Sequence, residues 1–184
     1  MWCKYEGTIL SSLGSAKCTL SCGLFSLFSC APVTCGTANP FQCVASSTCP
    51  SGWTVSGSKC FNVFEGPSNW LAALQICIAQ GGTLAKIESQ AENDLVQGLL
   101  GTTNTDPVWI GLQDFLVENT FSWADGTALG AWGTPQGTTP PWISGQPDNN
   151  QNRQDCVVMR PSDGQWNDVI CNGARRFVCE RASS

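Results

Sequence analysis

Histidine is missing from this 184-residue chain, and with it the base on which most nucleophilic hydrolases depend. Without an imidazole, Ser-His and Cys-His catalysis cannot be assembled. Proton transfer is left to carboxylates, lysine and the single tyrosine, Tyr5. No pair of C-x-x-C knuckles occurs either, which argues against a zinc scaffold. Charge is sparse at 12 %, and the balance of −5, with a pI near 4.5, opposes nucleic-acid binding, which needs a basic surface. No run of about 20 apolar residues exists, so a membrane span is not expected. Asn-x-Ser/Thr sequons are absent, and N-glycosylation is not expected. Met1-Trp2-Cys3-Lys4 does not lead into the apolar stretch of an export signal, so any such signal was removed or lies outside this numbering.

Cysteine is present in excess. Twelve in a chain this short, an even number, point to an oxidising compartment and hence to a secreted, extracellular protein. Cys3, Cys18, Cys22, Cys30, Cys35 and Cys43 fall in residues 1–48 among small residues, without sustained helical or strand periodicity. This region reads as a Cys-rich N-terminal extension stapled by disulfides whose pairing stays open. Its one apolar cluster, Leu24–Phe28, is either buried under those disulfides or a partner surface.

From Cys49 onward the pattern changes. Trp53–Val55 and Cys60–Phe64 flank Ser56–Lys59 and read as a hairpin. Ser68 is expected to cap a helix with Trp70, Leu71, Leu74, Cys77 and Ile78 on its apolar stripe, ended by Gly81-Gly82. Ser89 and Glu92 form a capping box for a second helix, with Leu95, Val96, Leu99 and Leu100 as its stripe and Gly101 closing it. Strand-like runs follow at Val108–Leu112, Phe121–Trp123, Cys156–Met159, Trp166–Ile170 and Phe177–Glu180, separated by long loops. Trp109, Trp123 and Trp166 are expected in the core. Two early helices and short late strands predict an α+β domain stapled by disulfides.

Cys60-Phe61, Leu84–Ile87, Trp109–Leu112, Gln146-Pro147-Asp148, Asp155-Cys156, Trp166-Asn167-Asp168 and Cys179-Glu180 stand in an order that resembles the C-type lectin-like fold over residues 49–182. The resemblance implies short antiparallel strands with long loops, and the disulfides Cys49–Cys60, Cys77–Cys179 and Cys156–Cys171. It also implies a carbohydrate-recognition domain whose sugar is held through Ca²⁺. The matching metal ligands are Gln146, Asp148, Gln154, Asn167 and Asp168, with Pro147 at the family's cis-proline. Ca²⁺ takes 6–8 hard oxygen ligands, and carboxylate and amide oxygens are of that kind.

Sugar contacts are implied for Gln146, Asp148, Asn167 and Asp168. Vicinal hydroxyls donate to the carboxylates and accept from the amide NH₂ groups. The Gln-Pro-Asp order resembles the loops that prefer galactose or N-acetylgalactosamine, the reverse of Glu-Pro-Asn. Position 154 carries Gln where the family usually has Glu, which removes a charge and predicts weak affinity, on the order of 10⁻⁴–10⁻³ M or poorer. No aromatic follows the triplet to stack on the sugar, and Trp142 is the candidate from another direction. An auxiliary Ca²⁺ site would use Asp114, Glu118, Asn149 and Asp155.

The function expected on these grounds is a secreted, Ca²⁺-dependent lectin of galactose type, oligomeric through residues 1–48. The competing expectation is a structural, self-assembling extracellular protein that keeps the fold with a weak or vestigial sugar site. Ice binding is a third possibility, since some fish antifreeze proteins resemble this fold and carry the same triplet. Enzymatic activity is not expected, because the usual catalytic constellations are missing.

Overall fold

The computed structural model describes residues 47–132 and 141–184, together with the backbone of two short strands. Those strands, β1 (Val33–Cys35) and β2 (Cys43–Ala45), pair antiparallel, a local ladder that the composition of the extension does not announce. The expectations for Leu24–Phe28 and for the pairing of the six N-terminal cysteines lie outside the described residues.

Residues 49–183 pack as one unit. β3 (Thr54–Ser56) and β4 (Lys59–Ser68) form the hairpin, pairing Val55 with Cys60. α1 (Trp70–Ala79) follows, then β5 (Thr83–Leu84) and α2 (Gln90–Leu100). The remaining strands are β6 (Val108–Gln113), β7 (Ser122–Trp123), β8 (Cys156–Met159), β9 (Trp166–Val169) and β10 (Arg175–Ala182). Their order in the sheet is β3-β4-β10-β6-β8-β9, with β5 on β10 and β7 on β6. The sheet is mixed rather than wholly antiparallel. β10 meets β6 in parallel at Phe177 and Trp109, and the long chain segment between them supplies the crossover that parallel pairing needs.

The start of α1 departs from the sequence expectation, whereas α2 is capped by Ser89 as expected. β4 continues through Ser68, so the cap of α1 is Asn69, whose side chain accepts the Ala72 N–H at 2.9 Å. The buried face of α1 is Trp70, Ala73 and Cys77, while Leu71 and Ile78 are 63 % and 51 % exposed. A small residue, Ala73, serves the contact face that larger apolar residues were expected to fill. At the other end, Gly81 has φ +77°, and a Cβ on Gly82 would lie 1.9 Å from the Glu180 carbonyl oxygen. Glycine is required there because the backbone approaches β10 so closely.

In α2, Ser89 Oγ accepts the Glu92 N–H, but Glu92 reaches the Glu88 N–H at 2.7 Å, one residue before the cap. Its buried residues are Asn93, Val96 and Leu100, with Leu95 and Leu99 partly buried against the same cluster.

Burial holds the sheet between two apolar clusters. One gathers Phe61, Ile87, Val96, Ile110, Leu112, Trp123 and Trp166; the other gathers Trp70, Leu84, Trp109 and Phe177. Trp109, Trp123 and Trp166 are fully buried, as their apolar area favours. Three disulfides tie these layers: Cys49–Cys60, Cys77–Cys179 and Cys156–Cys171, the pairs implied by the resemblance. The second spans 102 residues and joins α1 to β10, worth about 4.7 kcal/mol by chain entropy.

Candidate functional site

The candidate site is built on β9 and on the loop that precedes β8. Trp166 opens β9 and is pinned from three sides. Its indole N–H donates to Asn93 Oδ1 on α2 at 3.0 Å, its backbone N–H donates to the Pro141 carbonyl, and its carbonyl accepts the Ile143 N–H at 2.9 Å. Asn93 also donates to the Gly164 carbonyl at 3.0 Å. The base of the loop and the start of β9 are therefore fixed to the helix layer by buried hydrogen bonds, which are costly to leave unmade.

Asn167 and Asp168 follow on β9, paired with Val158 and Val157. Asp168 is buried, and its two carboxylate oxygens accept the backbone N–H groups of Asp148 (3.2 Å) and Asn149 (2.7 Å). The Gln146–Pro147 bond is cis, as the resemblance implied, and Gln146 Oε1 also accepts the Asp148 N–H at 3.1 Å. Further along, Gln154 Oε1 accepts the Asn150 N–H at 2.5 Å, and Asn149 Oδ1 accepts the Gln154 N–H at 3.1 Å. Arg153 and Gln151 form a side-chain hydrogen bond across the tip. Asn149, Gln151 and Asn152 all have positive φ, at 40°, 63° and 53°. Asparagine tolerates that left-handed region better than most residues, which accounts for the Asn-rich tip.

These bonds bring Gln146, Asp148, Asn149, Gln154 and Asp168 into one network, and Asn167 precedes Asp168 in β9. The oxygens of Gln146, Gln154 and Asp168 are each engaged by a loop N–H. Asn167 Oδ1, by contrast, is buried and has no hydrogen-bond partner. No group of three or more His, Cys, Asp or Glu side chains placed for a metal occurs among the described residues.

Electrostatics in this neighbourhood are one-sided. Burial raises the Asp168 carboxyl above its ordinary range; the Asn149 and Asp148 N–H groups oppose that, and the Asp148 charge adds to it. Asp114 is pushed up to about 6, first by burial, with the charges of Glu118, Asp155 and Asp168 also raising it against the Asn119 N–H. Asp114 Oδ2 accepts that N–H at 2.9 Å, and its Oδ1 is buried without a partner. The Asp114 N–H donates to the Asp155 carbonyl at 3.1 Å, so the two acidic segments lie side by side. Asn167 Oδ1 and Asp114 Oδ1 are each buried without a hydrogen-bond partner, and hard oxygen donors of this kind could hold a cation such as Ca²⁺.

Trp142 is not where the sugar-stacking role needs it. It is 5 % exposed, tilted on Phe121 at 5.2 Å and edge-on to Trp166 at 5.8 Å, so its faces are spent in the core. It was the candidate because no aromatic follows the triplet, whereas its pairing with Trp166 is tertiary. Sequence reading also missed Phe115, Leu116 and Val117, which are 49 %, 80 % and 60 % exposed between Asp114 and Glu118. Three apolar residues in succession in a loop were the available signal. The role of Asn149 in clasping Gln154 had none.

Comparison with known proteins gives this geometry a family. Residues 66–181 match the Lectin C-type domain model. The galactose-specific lectin nattectin of Thalassophryne nattereri is 32 % identical over 139 residues, covering 74 % of this chain and 82 % of that protein. Among solved structures, the carbohydrate-recognition domain of the mouse scavenger receptor C-type lectin superposes with a TM-score of 0.64 at 27 % identity, covering 74 % of this chain and all of that one. A calcium-independent type II antifreeze protein is as similar in shape, with a TM-score of 0.63 at 28 % identity over 76 % of this chain and 98 % of its own. The family is generally non-enzymatic. The fold, the three disulfides and the match over residues 66–181 together make this chain a member of the C-type lectin family.

Proposed function

We propose that this protein is an extracellular lectin that binds galactose-type sugars in a Ca²⁺-dependent manner through the loop at 146–154 and the strand β9. The observation that carries the reading is the buried Asn167 Oδ1, left without a partner beside Asp168 in an all-oxygen donor set. Gln146, Asp148, Gln154, Asn167 and Asp168 would hold the ion, each through an oxygen that retains a second lone pair where a loop N–H already uses one. Bound there, Ca²⁺ supplies the positive centre to which two vicinal sugar hydroxyls add their oxygens. The Gln146 amide oxygen faces its own loop, which leaves its NH₂ to donate outward, while Asp148 is free to accept from a hydroxyl. That donor–acceptor order, together with the specificity named for nattectin, supports galactose.

No helix among the described residues is long and apolar enough to cross a membrane, and the disulfides agree with an oxidising compartment. Residues 1–48 would link copies, because weak single sites gain avidity by clustering. Retention on immobilised galactose tests the reading: it is expected in Ca²⁺, lost in chelator and lost in Asp148→Ala. Retention that ignores the chelator contradicts it.

A second reading has its own observation. Position 154 is an amide rather than a carboxylate, and its oxygen already closes the loop on the Asn150 N–H, which favours a vestigial site in a self-assembling building block. Light scattering with and without reductant separates the two, since a monomer in both conditions removes this one.

A further inference from the structure

The start of β10 carries two consecutive arginines, Arg175 and Arg176. In a regular strand they would point to opposite faces of the sheet. Here the pairing of β10 with β4 shifts register between Arg175 and Phe177, a bulge that re-aims side chains. Both arginines consequently line one groove of about 400 Å³, with Glu65, Asn104 and Asp106 on its walls. The lining includes none of the candidate calcium ligands or sugar contacts.

The two guanidinium groups are in different states. Arg176 is 7 % exposed and its terminal nitrogens are occupied: Nη1 donates to Glu65 at 3.3 Å, Nη2 to the carbonyls of Asn104 (3.1 Å) and Asp106 (3.5 Å). It clamps the segment before β6 onto β10. Arg175 lies over the fully buried Trp109 ring at 5.3 Å and its guanidinium, among the described residues, makes neither a hydrogen bond nor an ion pair; its Nε, like that of Arg176, is buried without a partner. Burial lowers its affinity for the proton, and the charge of Asp106 offsets that without reaching salt-bridge distance. A guanidinium presents a planar fork of donors, and one held on an aromatic face with its donors unused matches an oxyanion.

We infer that this groove is an oxyanion-binding site, with Arg175 as its recognition residue, Trp109 as the surface that orients it, and a carboxylate or sulfate group as the ligand. The site is independent of the proposed sugar site, and either can fail without the other. Arg176 positions the wall, and Asp106 opposes the incoming anion.

Titration of the intact protein with sodium sulfate and, separately, sodium acetate tests this, followed by NMR of the arginine and Trp109 indole N–H signals. Sodium chloride at matched ionic strength is the control. Saturable shifts with sulfate or acetate but not chloride are expected, and whichever anion saturates lower identifies the tetrahedral or planar ligand. Arg175→Gln should weaken binding at least about tenfold, and Asp106→Asn should tighten it by roughly threefold. Arg175→Lys keeps the charge but not the fork, so it should weaken binding by at least roughly threefold and serves if the Gln variant does not fold. Shifts that merely follow ionic strength, or an Arg175 variant that titrates like the wild type, overturn the assignment.

Discussion

The sheet with its helices and the loop at 141–155 are held in different ways. The scaffold rests on buried tryptophans, apolar strands and a disulfide from α1 to β10, interactions that are non-directional or covalent. The loop buries little beyond Trp142, and its tip from Asn149 to Arg153 is largely exposed. It keeps its shape by side chains accepting backbone N–H groups: Asp168 from Asp148 and Asn149, Gln154 from Asn150, Asn149 from Gln154. The lesson is that the same polar side chains that shape this loop are the candidate ligands, so shape and binding should respond together there and separately elsewhere.

The largest effect should come from the scaffold. Replacing Cys77 and Cys179 together by alanine should cost about 4.7 kcal/mol, read as a lower urea midpoint, with loop and core unfolding together. A loop that melts first in this variant would show that the division is sharper than drawn. Asn93→Ala attacks the joint between the regions. It strands the Trp166 indole N–H and the Gly164 carbonyl, and should lower stability by about 2–3 kcal/mol while loosening residues 141–143. Unchanged stability would mean that the loop does not lean on α2.

A pH measurement isolates a polar element of the scaffold. Glu180 is pushed up to about 7 by burial, which outweighs the Lys59 charge that it shares with Glu88 and Glu92 and the Lys86 N–H bond at 2.9 Å. Lys59 itself is raised: burial lowers it, but the three carboxylates around it prevail. For Glu180 the fold favours the protonated acid. Its contribution is thus present below the ordinary carboxylate range and fades as the pH rises towards 7. The unfolding free energy from urea titrations should fall over that window, by on the order of 2 kcal/mol, and Glu180→Gln should flatten the slope. An identical slope in the variant would assign the effect to other carboxyls. The smallest global effect belongs to the loop. Asp168→Asn should raise hydrogen exchange at the Asp148 and Asn149 amides roughly tenfold, about 1.4 kcal/mol, while the core amides keep their protection. Faster exchange throughout would merge the two regions.

What could be read beforehand divides along the same line. The disulfides, the two helices and the late strands were legible, because apolar periodicity and ordered motifs report burial directly. Ser68 was mistaken for a cap because β4 runs on through it, a matter of strand pairing with β10 that local sequence does not record. Leu71 and Ile78 were placed on the apolar stripe by helical spacing, yet Ala73 occupies the contact face of α1. Trp142 looked available because its partners, Phe121 and Trp166, are distant in sequence. In the loop, the identities of the candidate ligands were legible through the family pattern, but the clasp between Asn149 and Gln154 depends on positive φ values that no motif announces.

Calorimetry with Ca²⁺, followed by galactose and by mannose, bears most directly on whether the loop at 146–154 and β9 form a metal-dependent sugar site. Saturable Ca²⁺ binding on the order of 10⁻⁴–10⁻³ M is expected, then heat from galactose in excess of mannose, and neither in Asp148→Ala. Galactose binding of equal strength without Ca²⁺, or no Ca²⁺ binding at any attainable concentration, would contradict it.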